Sequence, residues 1–151
     1  MRQSPAEIVT ILDLVSKAAI GRWGRDLVSI VLFGSFARGD AGQHSDVDLL
    51  LIAENLPQDW RARTAAELAL ERVGLQVGRP IQVILVAPED VRFAVNEVAP
   101  LLLEIRTDYH CLLDQEGFFR NEMKRLDESL VVRGVRKLAE HKWEVPELAR
   151  Q

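Results

Sequence analysis

Leu27-Val28-Ser29-Ile30-Val31-Leu32-Phe33, then Gly34-Ser35-Phe36-Ala37-Arg38-Gly39-Asp40-Ala41-Gly42-Gln43-His44-Ser45, then Asp46-Val47-Asp48-Leu49-Leu50-Leu51-Ile52-Ala53 is the stretch on which the reading of this chain turns. The first seven residues form an apolar, β-branched run of the kind that makes a buried strand. Gly34 ends it, Gly39 to Gly42 has loop composition, and Asp46 to Ala53 resumes as a second strand. Upstream, Ser4-Pro5-Ala6-Glu7 supplies an N-cap hydroxyl, a proline at the first helical position and a glutamate at N3. Ile8, Ile11, Leu12, Val15, Ala18 and Ala19 follow at helical spacing, and Gly21 and Gly24 end that helix.

Downstream, a helix is expected from Asp59 to Val73, with Gly74 after it. Gly78-Arg79-Pro80 turns the chain into a third strand, Ile81 to Val86. Pro88-Glu89-Asp90 opens a further helix with acids in its first turn, where the macrodipole favours them. Its apolar stripe is Val91, Ala94, Val95, Val98 and Leu102. Cys111-Leu112-Leu113 reads as a fourth short strand, Gln115-Glu116-Gly117 as a turn and Phe118 to Leu130 as a helix. Gly134 to Gln151 is weakly patterned. Strands mixed with helices give an α/β (α+β) domain, a mixed sheet of about four to five strands flanked by helices. A boundary near residue 114 divides a core, 1–114, from a small C-terminal helical appendage, 115–151. Residues 120–151 carry 8 Lys+Arg against 6 Asp+Glu, opposite in sign to the net charge of −4 of the whole chain.

The chain has 151 residues, 48% hydrophobic and 28% charged, which excludes collagenous, disulfide-scaffold and disordered classes. Its acidic balance disfavours non-specific nucleic-acid binding. A single cysteine, Cys111, forbids an intrachain disulfide and suits a reducing compartment. No secretory leader and no membrane-spanning run is visible, so a cytoplasmic location is expected.

Chemistry concentrates between Gly34 and Leu49. Residues two apart on a strand share a face, about 6.6–6.8 Å apart. Asp46 and Asp48 therefore present two carboxylates together, and two anions so placed repel unless a cation joins them. Carboxylates with water suit Mg²⁺ or Mn²⁺, ions that also bridge substrate phosphates. The bland alternative makes Asp46 a loop residue and Asp48 an exposed strand residue, although aspartate is depleted in strands. Gly34-Ser35, between a buried strand and a short helix, can cradle an anion through backbone N–H groups and the serine hydroxyl; alone it would read as a capped tight turn. An anion cradle beside a cation site is what a nucleoside triphosphate with its metal requires. No Gly-Lys-Ser/Thr of a P-loop and no GxGxxG fingerprint is present.

Gly34-Ser35, Arg38-Gly39 and Ser45-Asp46-Val47-Asp48-Leu49 resemble the GSxxRG…SDxDL signature of the DNA polymerase β-like nucleotidyltransferase superfamily, and most of all its minimal nucleotidyltransferase (MNT) branch. The motif spans 16 positions, and the order of elements extends the likeness over residues 5–114. The Val86-to-Asp90 junction and the Leu113-to-Phe118 turn are similar to members of that branch as well. The resemblance implies a nucleotidyltransferase-like fold in which Gly34 and Ser35 bind the triphosphate of ATP or another NTP. Arg38 and Ser45 belong to the same nucleotide-binding motif, and Asp46 and Asp48 are the catalytic and metal-holding pair. It implies transfer of a nucleoside monophosphate to a hydroxyl, with release of pyrophosphate. It also implies a partner: proteins of this branch resemble the antitoxin half of a toxin–antitoxin pair whose other half is an all-helical HEPN protein. The family's third carboxylate, on the next core strand, falls at Gln82, a neutral amide that makes a poor base and a poorer ligand. A degenerate nucleotide-binding module that neutralises a partner without turnover is therefore the alternative function. Acceptor, base preference and oligomeric state stay open.

The other candidates are weaker. Arg38 has a fork that suits phosphate, yet reads equally as a surface loop arginine. His44 is a single loop histidine, more often solvated than catalytic. His110, Cys111 and His141 lack metal-ligand spacing, and Cys111 reads as core. Trp23, Trp60 and Trp143 show no stacking pattern for nucleic acid. Leu101-Leu102-Leu103 reads as core, part of which could form a partner surface.

Overall fold

The run Leu27–Phe33 is strand β1 in the computed structural model, which describes residues 5–133, 136–139 and 142–144. Helix α1 (Pro5–Trp23) precedes it. The single turn α2 (Ser35–Arg38) follows, then β2 (Val47–Ala53), α3 (Trp60–Gln76), β3 (Ile81–Val86), α4 (Pro88–Asn96) and α5 (Pro100–Ile105). The chain continues through β4 (His110–Asp114), α6 (Phe118–Arg133) and a ribbon of β5 (Arg136–Ala139) with β6 (Lys142–Glu144). The main sheet has the order β3-β2-β1-β4. Strand β1 runs antiparallel to both neighbours, whereas β2 and β3 are parallel and joined through α3. The expected mixed sheet flanked by helices is what forms.

Strand β2 is apolar without interruption from Leu49 because helices cover both of its faces. Leu49 and Leu51 pack with Ile30 and Leu32 against Ile11 and Val15 of α1 and Leu70 of α3. Leu50 and Ile52 pack on the other face with Val91 of α4, Leu103 of α5 and Phe119 and Leu126 of α6. Asp114 ties α6 to the sheet. Its carboxylate accepts from Ser29 Oγ at 2.6 Å and from the backbone N–H groups of Phe119 and Arg120 at 2.8 and 3.1 Å. These bonds satisfy donors at the start of α6. Strand β3 is an edge, and α3 protects it. Glu71 accepts from the N–H of Val83 at 2.8 Å and Glu67 from that of Leu85 at 3.0 Å, on groups that would otherwise invite another strand.

Several elements differ from what the sequence implies: α6 runs to Arg133 rather than Leu130, and the appendage expected to be helical carries the β5–β6 ribbon as well. Helix α1 continues through Gly21 to Trp23, and α3 continues through Gly74 to Gln76. The second strand starts at Val47, which leaves Asp46 on the loop that enters it. The expected single helix from Pro88 to Leu102 is two, because Pro100 disfavours helical backbone at the residue before it. Ala99 is accordingly extended at φ −63°, ψ 134°, and Val98 turns left-handed at φ +52°. Val91, Val95, Val98 and Leu102 nonetheless reach the same core. The Ser4 cap and His141 lie outside the described residues.

Candidate functional site

The candidate residues gather at the end of the sheet where β1 finishes and β2 and β3 begin. Asp48 pairs across β1 with Phe33 and across β3 with Gln82. Residues in register share a face, so Phe33, Asp48 and Gln82 form a row on the side of Leu50 and Ile52. Gln82 is exposed and Asp48 half-buried. Asp46 stands one residue outside the strand and is exposed. The two carboxylates sense each other. Burial raises the Asp48 pKa above the ordinary carboxylate range, the charge of Asp46 raises it further, and Arg38 opposes both.

Gly34 is a glycine because of Asp48. Its backbone, at φ 76° and ψ −156°, lies in a region that other residues avoid. A Cβ there would overlap Asp48 Oδ2 and stand 3.1 Å from Asp48 Cγ. The missing side chain thus makes room for the aspartate itself, a contact that neither the anion cradle nor the capped turn read from the sequence includes. The Gly34 carbonyl accepts from Ala37 and Arg38 N–H at 3.1 and 3.0 Å, which closes α2. Ser35 is the first residue of that turn, and its carbonyl accepts from the Asp40 N–H at 3.1 Å. Arg38 is exposed, with Nε 3.3 Å from Asp40 Oδ2. Ser45 is engaged within its loop: its Oγ accepts from the Gly42 N–H at 2.8 Å. His44 is exposed beside it.

The donor set fits a magnesium-type ion. Among the described residues no cluster of three or more His, Cys, Asp or Glu could hold a metal. Mg²⁺ is commonly bound through one or two carboxylates, with water and substrate phosphates completing its octahedron. Asp46 and Asp48 are the residues that would hold it. Cys111 takes no part. Burial pushes its thiol up to about 11, and it packs beside the α4–α6 core. His110 is exposed on an edge strand.

Sequence reasoning missed Arg79, which it read only as part of a turn. The side chain is 6% exposed and its Nη1 donates to the carbonyls of Gln43 and Ser45 at 2.8 and 2.7 Å. Nothing local in Gly78-Arg79-Pro80 separates a buried arginine from a solvated one. It also missed Glu67 and Glu71, whose spacing of four was the available signal that both lie on one face of α3.

Residues 12–113 match the family model described as a nucleotidyltransferase domain. A protein of Methanocaldococcus jannaschii named "Putative protein adenylyltransferase MJ1305" is 39% identical over 118 residues, which cover 77% of this chain and 78% of that protein. Among solved structures, a mutant of the toxin–antitoxin MntA–HpeT superposes with a TM-score of 0.51 at 17% identity, over 88% of this chain and 91% of that one. A toxin–antitoxin crystallised with AMP-PNP gives 0.49 at 18% identity, over 87% and 94%. At 17% identity the likeness to MntA–HpeT is one of fold.

Proposed function

As the chain belongs to the nucleotidyltransferase domain family, we propose that it transfers a nucleoside monophosphate from ATP or another NTP to a hydroxyl of an external acceptor protein. The observation that carries this reading is the Asp46–Asp48 pair at the mouth of β2, with Asp48 seated against the backbone of Gly34. A divalent ion held there would neutralise charge on the triphosphate. Gly34, Ser35 and Arg38 belong to the turn that would face the phosphates, and Ser45 Oγ holds the loop that leads into Asp46. The acceptor oxygen attacks the α-phosphorus, the bond to the bridging oxygen breaks, and pyrophosphate leaves. The hydroxyl proton passes to water, since the neutral amide of Gln82 cannot take it. Residues 1–114 carry this chemistry in our reading and 115–151 form the appendage.

A protein acceptor accords with the name of the 39% identical relative, and a small all-helical HEPN protein is the partner we propose. No helix among the described residues is long and apolar enough to cross a membrane. Gln82 favours a second reading, a module that binds nucleotide and partner without turnover, because it occupies the register position next to Asp48.

Incubation with Mg²⁺ and either α- or γ-labelled ATP, with and without a small all-helical HEPN protein, tests both. Label on the acceptor from the α position alone supports transfer. Nucleotide binding without label supports the second reading, and absence of Mg²⁺-dependent nucleotide binding overturns both.

A further inference from the structure

We propose that Arg79 is a positioning residue, one that holds the Gln43–Ser45 loop onto α2 and thereby fixes where Asp46 stands. The inference rests on Asp46 and Asp48 being the metal-holding pair. Arg79 lies in the connection between α3 and β3, at 6% exposure. A buried guanidinium is costly unless its hydrogens are used, and Nη1 spends two on the carbonyls of Gln43 and Ser45. Its Cζ lies 5.4 Å from the centre of the Phe36 ring, so the same side chain touches α2.

The next residue completes the grip. The Pro80 carbonyl accepts from the Val47 N–H at 2.9 Å. The backbone is therefore held on both sides of Asp46, at Ser45 by Arg79 and at Val47 by Pro80. The anchor itself is fixed to α3. The Arg79 N–H donates to the Gly74 carbonyl at 3.0 Å, and a Cβ on Gly74 would overlap the Arg79 carbonyl oxygen and stand 2.7 Å from Ile81 Cγ1. Gly74 thus lets the end of α3 close onto the residue that holds the loop. A path of direct contacts leads from Gly74 through Arg79 to the loop entering β2, and across to the turn bearing Ser35 and Arg38.

The test compares the full chain with Arg79→Met and Arg79→Lys, and with Arg106→Met as a control. Arg106 bonds Asp127 at 2.9 Å, on the α5–α6 side of the sheet. Hydrogen exchange is followed at residues 42–47, and ATP binding is titrated with Mg²⁺. In Arg79→Met, exchange at Ser45 and Val47 should accelerate at least tenfold while Leu32 in β1 stays unchanged. The Mg²⁺ concentration for half-maximal ATP binding should rise at least tenfold. Arg79→Lys should recover part of both, and Arg106→Met should lower the melting temperature without moving either.

Exchange at 42–47 within twofold of the wild type overturns the proposal, as does faster exchange with an unchanged Mg²⁺ requirement. Should Arg79→Met fail to fold, Arg79→Lys and Phe36→Leu decide by the same readouts, each expected to accelerate exchange at 42–47 at least threefold. A wild type that binds no Mg²⁺-ATP defeats the nucleotide reading, while the exchange measurement still judges the clamp.

Discussion

Gly34→Ala probes the contact on which the candidate site is built. At φ 76° and ψ −156° an L-residue pays roughly 1–3 kcal/mol in backbone strain. The new methyl would also overlap Asp48 Oδ2, with Asp48 Cγ at 3.1 Å and Cβ at 3.3 Å, so the carboxylate must swing away from β1. For a chain of this length about 2–4 °C is lost per kcal/mol, and the strain alone should lower the melting temperature by roughly 2–12 °C. Displacing Asp48 should weaken Mg²⁺-dependent ATP binding by about tenfold or more, since metal sites demand close ligand geometry. Gly39→Ala is the matched control: φ is +81° there too, but a Cβ would meet nothing within 4 Å. It should show strain and no loss of affinity. The contact is isolated by repeating Gly34→Ala in an Asp48→Ala background, where the overlap with the carboxylate vanishes. Calorimetry and thermal melts on the four variants should give a coupling of about 0.5–3 kcal/mol between positions 34 and 48. Additive stability changes, or wild-type affinity in Gly34→Ala, would refute the reasoning.

Gln82→Asp places a carboxylate in register with Asp48 and should raise label transfer by roughly 10²-fold, the lower end of the roughly 10²–10⁴ that a positioned proton acceptor supplies; a lower rate than wild type would show that position 82 is not where the base belongs. Asp48→Asn should abolish Mg²⁺-dependent nucleotide binding yet raise the melting temperature of the metal-free protein at neutral pH. The sign follows from the raised Asp48 pKa: folding favours its protonated form, so stability is lost as pH rises through that value and ionisation completes. The gain of the variant should therefore shrink between pH 7 and pH 4, and a gain that grows on acidification would contradict the cause assigned. Removing both edge caps with Glu67→Ala and Glu71→Ala should cost about 1–3 kcal/mol by denaturant titration and produce concentration-dependent self-association in sedimentation, through the bared N–H groups of Val83 and Leu85. A monomer of unchanged stability would show that the edge needs no cover.

Local patterns in the chain revealed what local chemistry determines. The Leu27–Phe33 and Ile81–Val86 strands emerge with the bounds that their apolar, β-branched runs imply, because such runs have no alternative but burial. The Asp-x-Asp pair was visible because both carboxylates lie within three residues. What escaped were contacts made over distance. Gly34 and Asp48 are 14 residues apart and meet only because β1 and β2 pair, so the reason for that glycine could not be read from its neighbours. Arg79 lies 34 residues from Ser45, and its burial depends on how α3 ends against β3. The helix break at Val98 was announced by Pro100, and the apolar stripe outweighed that signal because Val98 and Leu102 stay in the core on either side of the break. The same distinction bears on catalysis. The position of Gln82 next to Asp48 is a matter of backbone register, with parallel strands about 4.7–4.9 Å apart. It holds whatever rotamer either side chain adopts. In the function we propose, the choice between turnover and binding alone turns on that one residue, an amide where a carboxylate would fit, in a frame that the fold already supplies.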